Sequence, residues 1–146
     1  MTIVRALNAS DQGAWAELFV AYGSFYGTSF GDEVIESTWN RLVTDGSGID
    51  AIVAEVDGMV IGFAHYRSHP DTFSTGRDWF LDDLFVDPEA RGAGAATALI
   101  EELKSYARET GPGSLRWITA ESNERAQRVY DRVATRTTWV TYEVRA

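Results

Sequence analysis

A chain of 146 residues, 45% of them hydrophobic and five of them tryptophan, can bury one substantial core and leaves little room for a second domain. Its formal charge of −9 opposes bulk attraction to nucleic acid, which needs Lys and Arg massed on a face, and favours cationic small molecules instead. It carries no cysteine, no long apolar run and no basic, signal-like start, so disulfides, a membrane span and secretion lack support and a cytoplasmic setting is the default expectation.

In chain order, Thr2 to Ala6 reads as a short strand, and Asp11 to Tyr22 places Trp15, Leu18, Phe19 and Tyr22 on one helical face, a stripe that core packing explains. After an aromatic loop punctuated by Gly and Ser, Gly23 to Gly31, Asp32 is placed to cap a second helix carrying Ile35, Trp39, Leu42 and Val43. Asp45-Gly46-Ser47-Gly48 ends it. Ile49 to Val56 and Met59 to Tyr66 alternate as strands around an Asp57-Gly58 hairpin turn. Arg67 to Asp78, poor in apolar residues, reads as a surface loop before a central strand, Trp79 to Val86. A helix from about Gly94 to Glu109 turns Ala95, Ala96, Leu99, Ile100, Leu103, Tyr106 and Ala107 to one side and stops at Gly111-Pro112-Gly113. Leu115 to Ala120 is then a strand, Asn123 to Val133 a helix, and Trp139 to Val144 a closing strand. No repeat or linker interrupts this order, which predicts one α+β domain over residues 1–146.

The segment Leu84-Phe85-Val86-Asp87-Pro88-Glu89-Ala90-Arg91-Gly92-Ala93-Gly94-Ala95-Ala96 carries the chemistry: a strand passes through an Asp-Pro turn into a small-residue loop that opens a helix. Small side chains let a ligand reach the backbone, whose unpaired N–H groups lie at the positive end of the helix dipole, so an anionic phosphate ester is the natural occupant. A Walker loop would need Lys-Ser/Thr where the chain has Ala95-Ala96-Thr97. The dinucleotide fingerprint would need Gly or Ala where Thr97 stands, and an earlier place in the chain.

Arg91-Gly92-Ala93-Gly94-Ala95-Ala96 satisfies Arg/Gln-x-x-Gly-x-Gly/Ala and resembles the acetyl-CoA loop of the GNAT N-acetyltransferase superfamily. Asn123-Glu124-Arg125-Ala126-Gln127-Arg128-Val129-Tyr130 resembles its second signature, Asn-x-x-Ala-x-x-x-Tyr, at the separation expected for helix, strand and helix. The resemblance spans Asp82 to Tyr130 by motif and the flanks by element order. It implies a mixed central sheet, flanked by helices, whose fourth and fifth strands splay apart to admit the pantetheine arm. It implies acetyl-CoA as cosubstrate, held by the backbone N–H groups of Leu84, Phe85 and Val86, by the loop Arg91, Gly92, Ala93, Gly94, Ala95 and Ala96, and by Asn123, Ala126 and Tyr130. Asn123 also sits where it could cap its helix. Arg125, Arg128 and Arg132 are either further helpers for the anionic cosubstrate or decoration of a solvated face.

Direct transfer of an acetyl group to an amine makes two demands. An alkylammonium of pKa ~10.4 is neutral at pH 7 in roughly one part in a few thousand, equivalent to about 4–5 kcal/mol, so a base must take its proton. The leaving thiolate, pKa ~8.5, needs an acid within reach. By the resemblance that acid is Tyr130, although its place beside Val129 and Val133 also suits an amphipathic core tyrosine. Two adjacent acids, Asp82 and Asp83, interrupt an otherwise apolar strand, and strand alternation would send them to opposite faces. At this point the chain looks like the spermidine/spermine N-acetyltransferases, which implies Asp82 as general base through water and Asp83 as the group that orients the substrate cation. Either acid can also be structural or solvated. His65 and His69 lack a third ligand at metal spacing, so no metal is expected.

The chain departs from the family where most members continue to Gly-Phe after the tyrosine. Here it runs Asp131-Arg132-Val133-Ala134-Thr135-Arg136-Thr137-Thr138-Trp139, with Trp139 standing for the phenylalanine. By analogy the loops Tyr22 to Phe30 and Arg67 to Asp78 wall the acceptor site, and Asp32, Glu33 and Asp78 suit a cationic amine. A small polyamine leads the expected acceptors, with an aminoglycoside-like amine, a lysine side chain and a protein N-terminus open beside it. The competing class is a non-catalytic acyl-CoA-binding or interaction module. Pairing through closing strands, as in family members, implies a homodimer, with neither nucleic acid nor membrane as partner.

Overall fold

The computed structural model describes residues 1–146. Five strands, β1 (Thr2–Ala6), β2 (Asp50–Val56), β3 (Met59–Pro70), β4 (Arg77–Val86) and β5 (Leu115–Arg116), form one sheet in chain order. The first three pairings are antiparallel and β4 to β5 is parallel. Four helices cover it: α1 (Gln12–Phe25), α2 (Asp32–Leu42), α3 (Ala95–Glu109) and α4 (Glu124–Val133). No helix is long and apolar enough to cross a membrane.

The expected β2–β3 hairpin forms around Asp57 and Gly58, whose φ angles of 52° and 79° match a two-residue turn with both central residues left-handed. Asp32 begins α2 rather than capping it: Gly31 is the N-cap, and Asp32 and Glu33 place negative charge in the first turn. At the start of α1, nearly buried Asp11 takes hydrogen bonds from Arg5 at 2.8 and 2.9 Å, while Arg5 also reaches Glu55 at 3.2 Å, tying β1 and β2 to the helix.

Two cores flank the sheet. On one face Ile52, Ala54, Ile61, Ala64, Leu81 and Val86 pack against Ala95, Leu99, Ile100 and Leu103 of α3. On the other, Ala51, Val53, Phe63 and Phe85 pack against Trp15, Leu18 and Phe19 of α1 and Trp39 and Leu42 of α2. Leu81 and Phe85 lie four residues apart, so unbroken alternation would put them on the same face. They lie on opposite faces because the β3–β4 register slips: Tyr66 pairs with Leu81 and His65 with Asp83, leaving Asp82 as the extra residue of a β-bulge.

That bulge overturns the expectation that Asp82 and Asp83 diverge. Both turn toward the α1 face. Asp83 meets Tyr22 of α1, and Asp82 meets Arg67, whose guanidinium lies 4.7 Å over the Phe80 ring.

Three expected boundaries also differ. Arg67–Pro70 is strand rather than loop, paired with Arg77–Phe80, so the connection shrinks to residues 71–76. Its polar composition hid it because a backbone ladder, and not apolar burial, holds this projecting end. The fifth strand stops at Arg116 instead of Ala120. Residues 139–144 form no strand: residues 135–146 make no backbone hydrogen bond, and Trp139, Tyr142 and Val144 are 84%, 91% and 96% exposed.

Leu99 is fully buried between α3 and the sheet. Leu99→Ala should lower unfolding free energy by about 2–5 kcal/mol in urea denaturation; a loss below about 1 kcal/mol would show that this core is not as tightly packed as described.

Candidate active site

The sheet opens where the acids lie. β5 pairs with β4 only at Trp79–Leu115 and Phe80–Arg116, so from Leu81 to Val86 one edge of β4 has no strand beside it. The Asp87 N–H donates to the Ile61 carbonyl at 2.8 Å on the β3 side. Counting back by alternation, Phe85 also faces β3, and the N–H groups of Leu84 and Val86 face the open edge.

Beyond β4, Asp87 accepts from the Glu89 N–H at 3.0 Å and closes a short turn, Pro88–Ala90, that delivers the loop Arg91–Gly94 to the start of α3. Gly92 and Gly94 hold φ of 95° and 77°, and a Cβ at either position would meet nothing within 4 Å. Glycine is therefore required by backbone conformation alone, and the space outside the loop is open. Gly94 is the N-cap of α3, and no side chain caps the helix. The first-turn N–H groups of Ala95, Ala96 and Thr97 consequently have no side-chain acceptor, the arrangement that suits an anion. Arg91 makes no ion pair, while Ala93 is exposed.

At the other end of the open edge, Asp83 is the centre of a hydrogen-bond chain. The Trp15 indole N–H donates to His65 Nε2 at 2.9 Å, His65 Nδ1 lies 2.8 Å from Asp83 Oδ2, and the Tyr22 hydroxyl donates to Asp83 Oδ1 at 2.7 Å. An indole N–H can only donate, so Nε2 accepts and the ring proton sits on Nδ1, directed at the carboxylate. Burial opposes ionisation of Asp83, but the bonds from His65 and Tyr22 outweigh it and hold the carboxyl below its ordinary value. Asp82 goes the other way: burial raises it, and the Arg67 bonds at 3.0 and 3.1 Å only partly offset that.

Tyr130 projects from α4 with its ring 5.4 Å from that of Trp117. It lies close enough to Tyr26 and Tyr22 that their phenolates would repel, and Tyr22 and Tyr26 in turn lie near Asp83. Burial, with a smaller effect of Tyr26, pushes Tyr130 up to about 12. The phenol is therefore protonated at neutral pH, and its proton is about 3–4 units, roughly 5 kcal/mol, harder to release than that of a thiol of pKa ~8.5. Asn123 caps α4, accepting from the Ala126 N–H at 3.2 Å. Asp78 is drawn away from the acids: it accepts from the Ser114 N–H at 3.1 Å and pairs with Arg116 at 3.5 Å. Asp32 and Glu33 likewise belong to the first turn of α2.

Trp15 and His65 were legible in the sequence only as core packing and as a satisfied or solvent-facing histidine, and Tyr22 as core packing and as the start of an expected acceptor wall. A histidine within the alternating run Ile61-Gly62-Phe63-Ala64-His65 was the available signal, but its link to Asp83 depends on a register that the bulge conceals.

Comparison with known proteins adds a consistent picture. The family model described as acetyltransferase (GNAT) matches residues 14–134. A D-amino-acid N-acetyltransferase of Saccharomyces cerevisiae is 33% identical over 143 residues, covering 97% of this chain and 89% of the yeast protein. A thialysine N-epsilon-acetyltransferase of Mus musculus is 26% identical over 141 residues, covering 88% and 81%. Among solved structures, an aminoglycoside N-acetyltransferase in complex with CoA shares the fold at a TM-score of 0.83 and 21% identity, over 99% of this chain and 95% of that one.

Because the space beside Gly94 is open, Gly94→Ala should cost only the left-handed strain, about 1–2 kcal/mol of stability in thermal or urea denaturation. A larger loss would mean that the loop is crowded.

Proposed function

The chain belongs to the acetyltransferase (GNAT) family and is an acetyltransferase, and from that premise we propose that it transfers the acetyl group of acetyl-CoA to a primary amine of a small cationic molecule by direct attack in a ternary complex. The observation that carries the reading is the bulge in β4, which turns Asp82 and Asp83 to one face beside Tyr22, at the edge that β5 leaves open.

The residues present fit acetyl-CoA. The uncapped start of α3, the open glycine loop and Arg91 suit its phosphates, and the free N–H groups of Leu84 and Val86 suit an extended amide-bearing arm. When bound, acetyl-CoA supplies the acetyl group as a thioester. A peptide N–H on the open edge of β4 would polarise the acyl carbonyl. Asp83, held ionised, would anchor the amine as a cation, and Asp82, with its carboxyl raised by burial, would take the proton through water. Tyr130 would donate a hydrogen bond to the departing sulfur. Two environments that push neighbouring carboxyls apart support two different roles for them.

A polyamine leads as acceptor, because paired acids and a net charge of −9 favour a multiply charged cation. A second reading is an amino acid. Arg67, half-exposed beside Asp82, offers a guanidinium for its carboxylate, and the yeast relative is a D-amino-acid N-acetyltransferase. A homodimer belongs to the same proposal: the tail carrying Trp139, Val140, Tyr142 and Val144 is exposed, and the outer edge of β5 pairs with no strand. Sedimentation should report a dimer that becomes a monomer when the chain is cut after Arg136, and a monomeric full-length chain would remove this part.

The test is acetyl-CoA-dependent thiol release across polyamines, D- and L-amino acids, aminoglycosides and lysine peptides; the chain itself contributes no thiol. Turnover should be confined to one class of small amine, and silence despite acetyl-CoA binding would overturn the reading. Tyr130→Phe should lower kcat by about 10²-fold or more with acetyl-CoA affinity nearly unchanged; unaltered turnover would remove Tyr130 from the reaction. With Tyr130 pushed up to about 12, its proton is retained in the assay range, so turnover should not fall between roughly pH 8 and pH 10. A decline there would point to a different acid.

A further inference from the structure

We propose that His65, fixed in one tautomer by Trp15, acts with Tyr22 as the positioning pair for Asp83, turning its remaining lone pairs toward the acceptor's ammonium; this rests on the anchoring role proposed for Asp83. The geometry runs from the core outward. Trp15 is fully buried and His65 is 1% exposed, so the chain begins in the packed layer between α1 and the sheet. Trp15 and Tyr22 lie about two turns apart on α1 and so share one face of the helix. Phe19 sits between them, stacked on Trp15 at 4.9 Å and facing His65 edge-on at 5.5 Å. The aromatic stripe that fills the core therefore also sets both donors to Asp83.

Each carboxylate oxygen receives one donor, His65 on Oδ2 at 2.8 Å and Tyr22 on Oδ1 at 2.7 Å. A carboxylate can accept about four hydrogen bonds, so two donors on different oxygens fix its position and its plane while leaving about half its capacity free. Both donors, an Nδ1–H of the singly protonated ring and a phenol, are uncharged and leave the charge of Asp83 uncancelled. Asp82 contrasts with this, because its partner Arg67 is a cation. The other ionisable groups around Asp83 are Tyr26, just past the end of α1, and Asp82 on its own strand, with Tyr130 of α4 near Tyr22 and Arg67 of β3 paired to Asp82. Among the two acids, Asp83 is thus the one held rigidly with its charge available to a substrate cation.

The experiment compares His65→Leu, His65→Gln, Trp15→Phe and Tyr22→Phe in the full chain, using the amine with the highest turnover in the panel above. Glutamine has one acceptor and a donating amide, so it can take the Trp15 N–H and still donate to Asp83; leucine can do neither. His65→Leu should raise amine KM about tenfold or more with acetyl-CoA KM unchanged, as expected for losing a hydrogen bond to a charged group. Tyr22→Phe should act in the same direction, and His65→Gln should return amine KM close to wild type. A folding defect would lower the active fraction without separating the two KM values. Nitrogen-15 NMR of the wild type should show His65 protonated at Nδ1, and Trp15→Phe should weaken that preference. Equal amine KM for His65→Leu and an active wild type, or an Nε2–H tautomer, would overturn this inference alone. A wild type inert toward the whole panel would remove the anchoring reading and this inference with it.

Discussion

One extra residue in β4 governs the placement of everything else at this site. Without the bulge at Asp82, alternation from Leu81 would direct Asp83 into the layer that holds Leu99, Ile100 and Leu103. An ionised carboxylate there would have no donors, at a cost of several kcal/mol. With the bulge, Leu81 still fills the α3 core while Asp83 and Phe85 change sides. The same irregularity satisfies apolar packing on one face and supplies a hydrogen-bonded acid on the other, which is a recurrent use of bulges near functional sites.

The second constraint is the parting of β4 from β5. A parallel ladder that ends at Phe80–Arg116 leaves the N–H groups of Leu84 and Val86 free to bind rather than to pair. β4 therefore joins two regions of opposite electrostatic character. Past its C-terminal end the uncapped first turn of α3 offers N–H groups and positive dipole, and at its middle two carboxylates offer negative charge. An anionic cosubstrate and a cationic acceptor can in this way meet along one strand of a chain whose overall charge would repel the first and attract the second.

Much of the fold was legible because its signals are local. The Asp57-Gly58 turn, the stripe on α3 and the Gly92–Gly94 loop each depend on residues adjacent in sequence or on one helix face. What escaped depends on pairing between distant segments. The phase of Asp82 and Asp83 is set by the register of β3 against β4, and period-two reasoning fails at a bulge by construction. The long β3–β4 ribbon escaped because its outer residues are polar on both faces, and the hydrogen-bond chain through Trp15 and His65 because it borrows residues that packing already explains. The apolar alternation of Trp139–Val144 predicted a strand, but a strand also needs backbone partners, and residues 135–146 find none within the chain.

The central claim is that the bulge turns Asp83 into the anchor for the acceptor's cation. It is tested most directly by steady-state kinetics of Asp83→Asn, a substitution that keeps the shape and removes the charge. Amine KM should rise about tenfold or more while acetyl-CoA KM stays unchanged. An unchanged amine KM, or a parallel rise in both constants, would contradict the account.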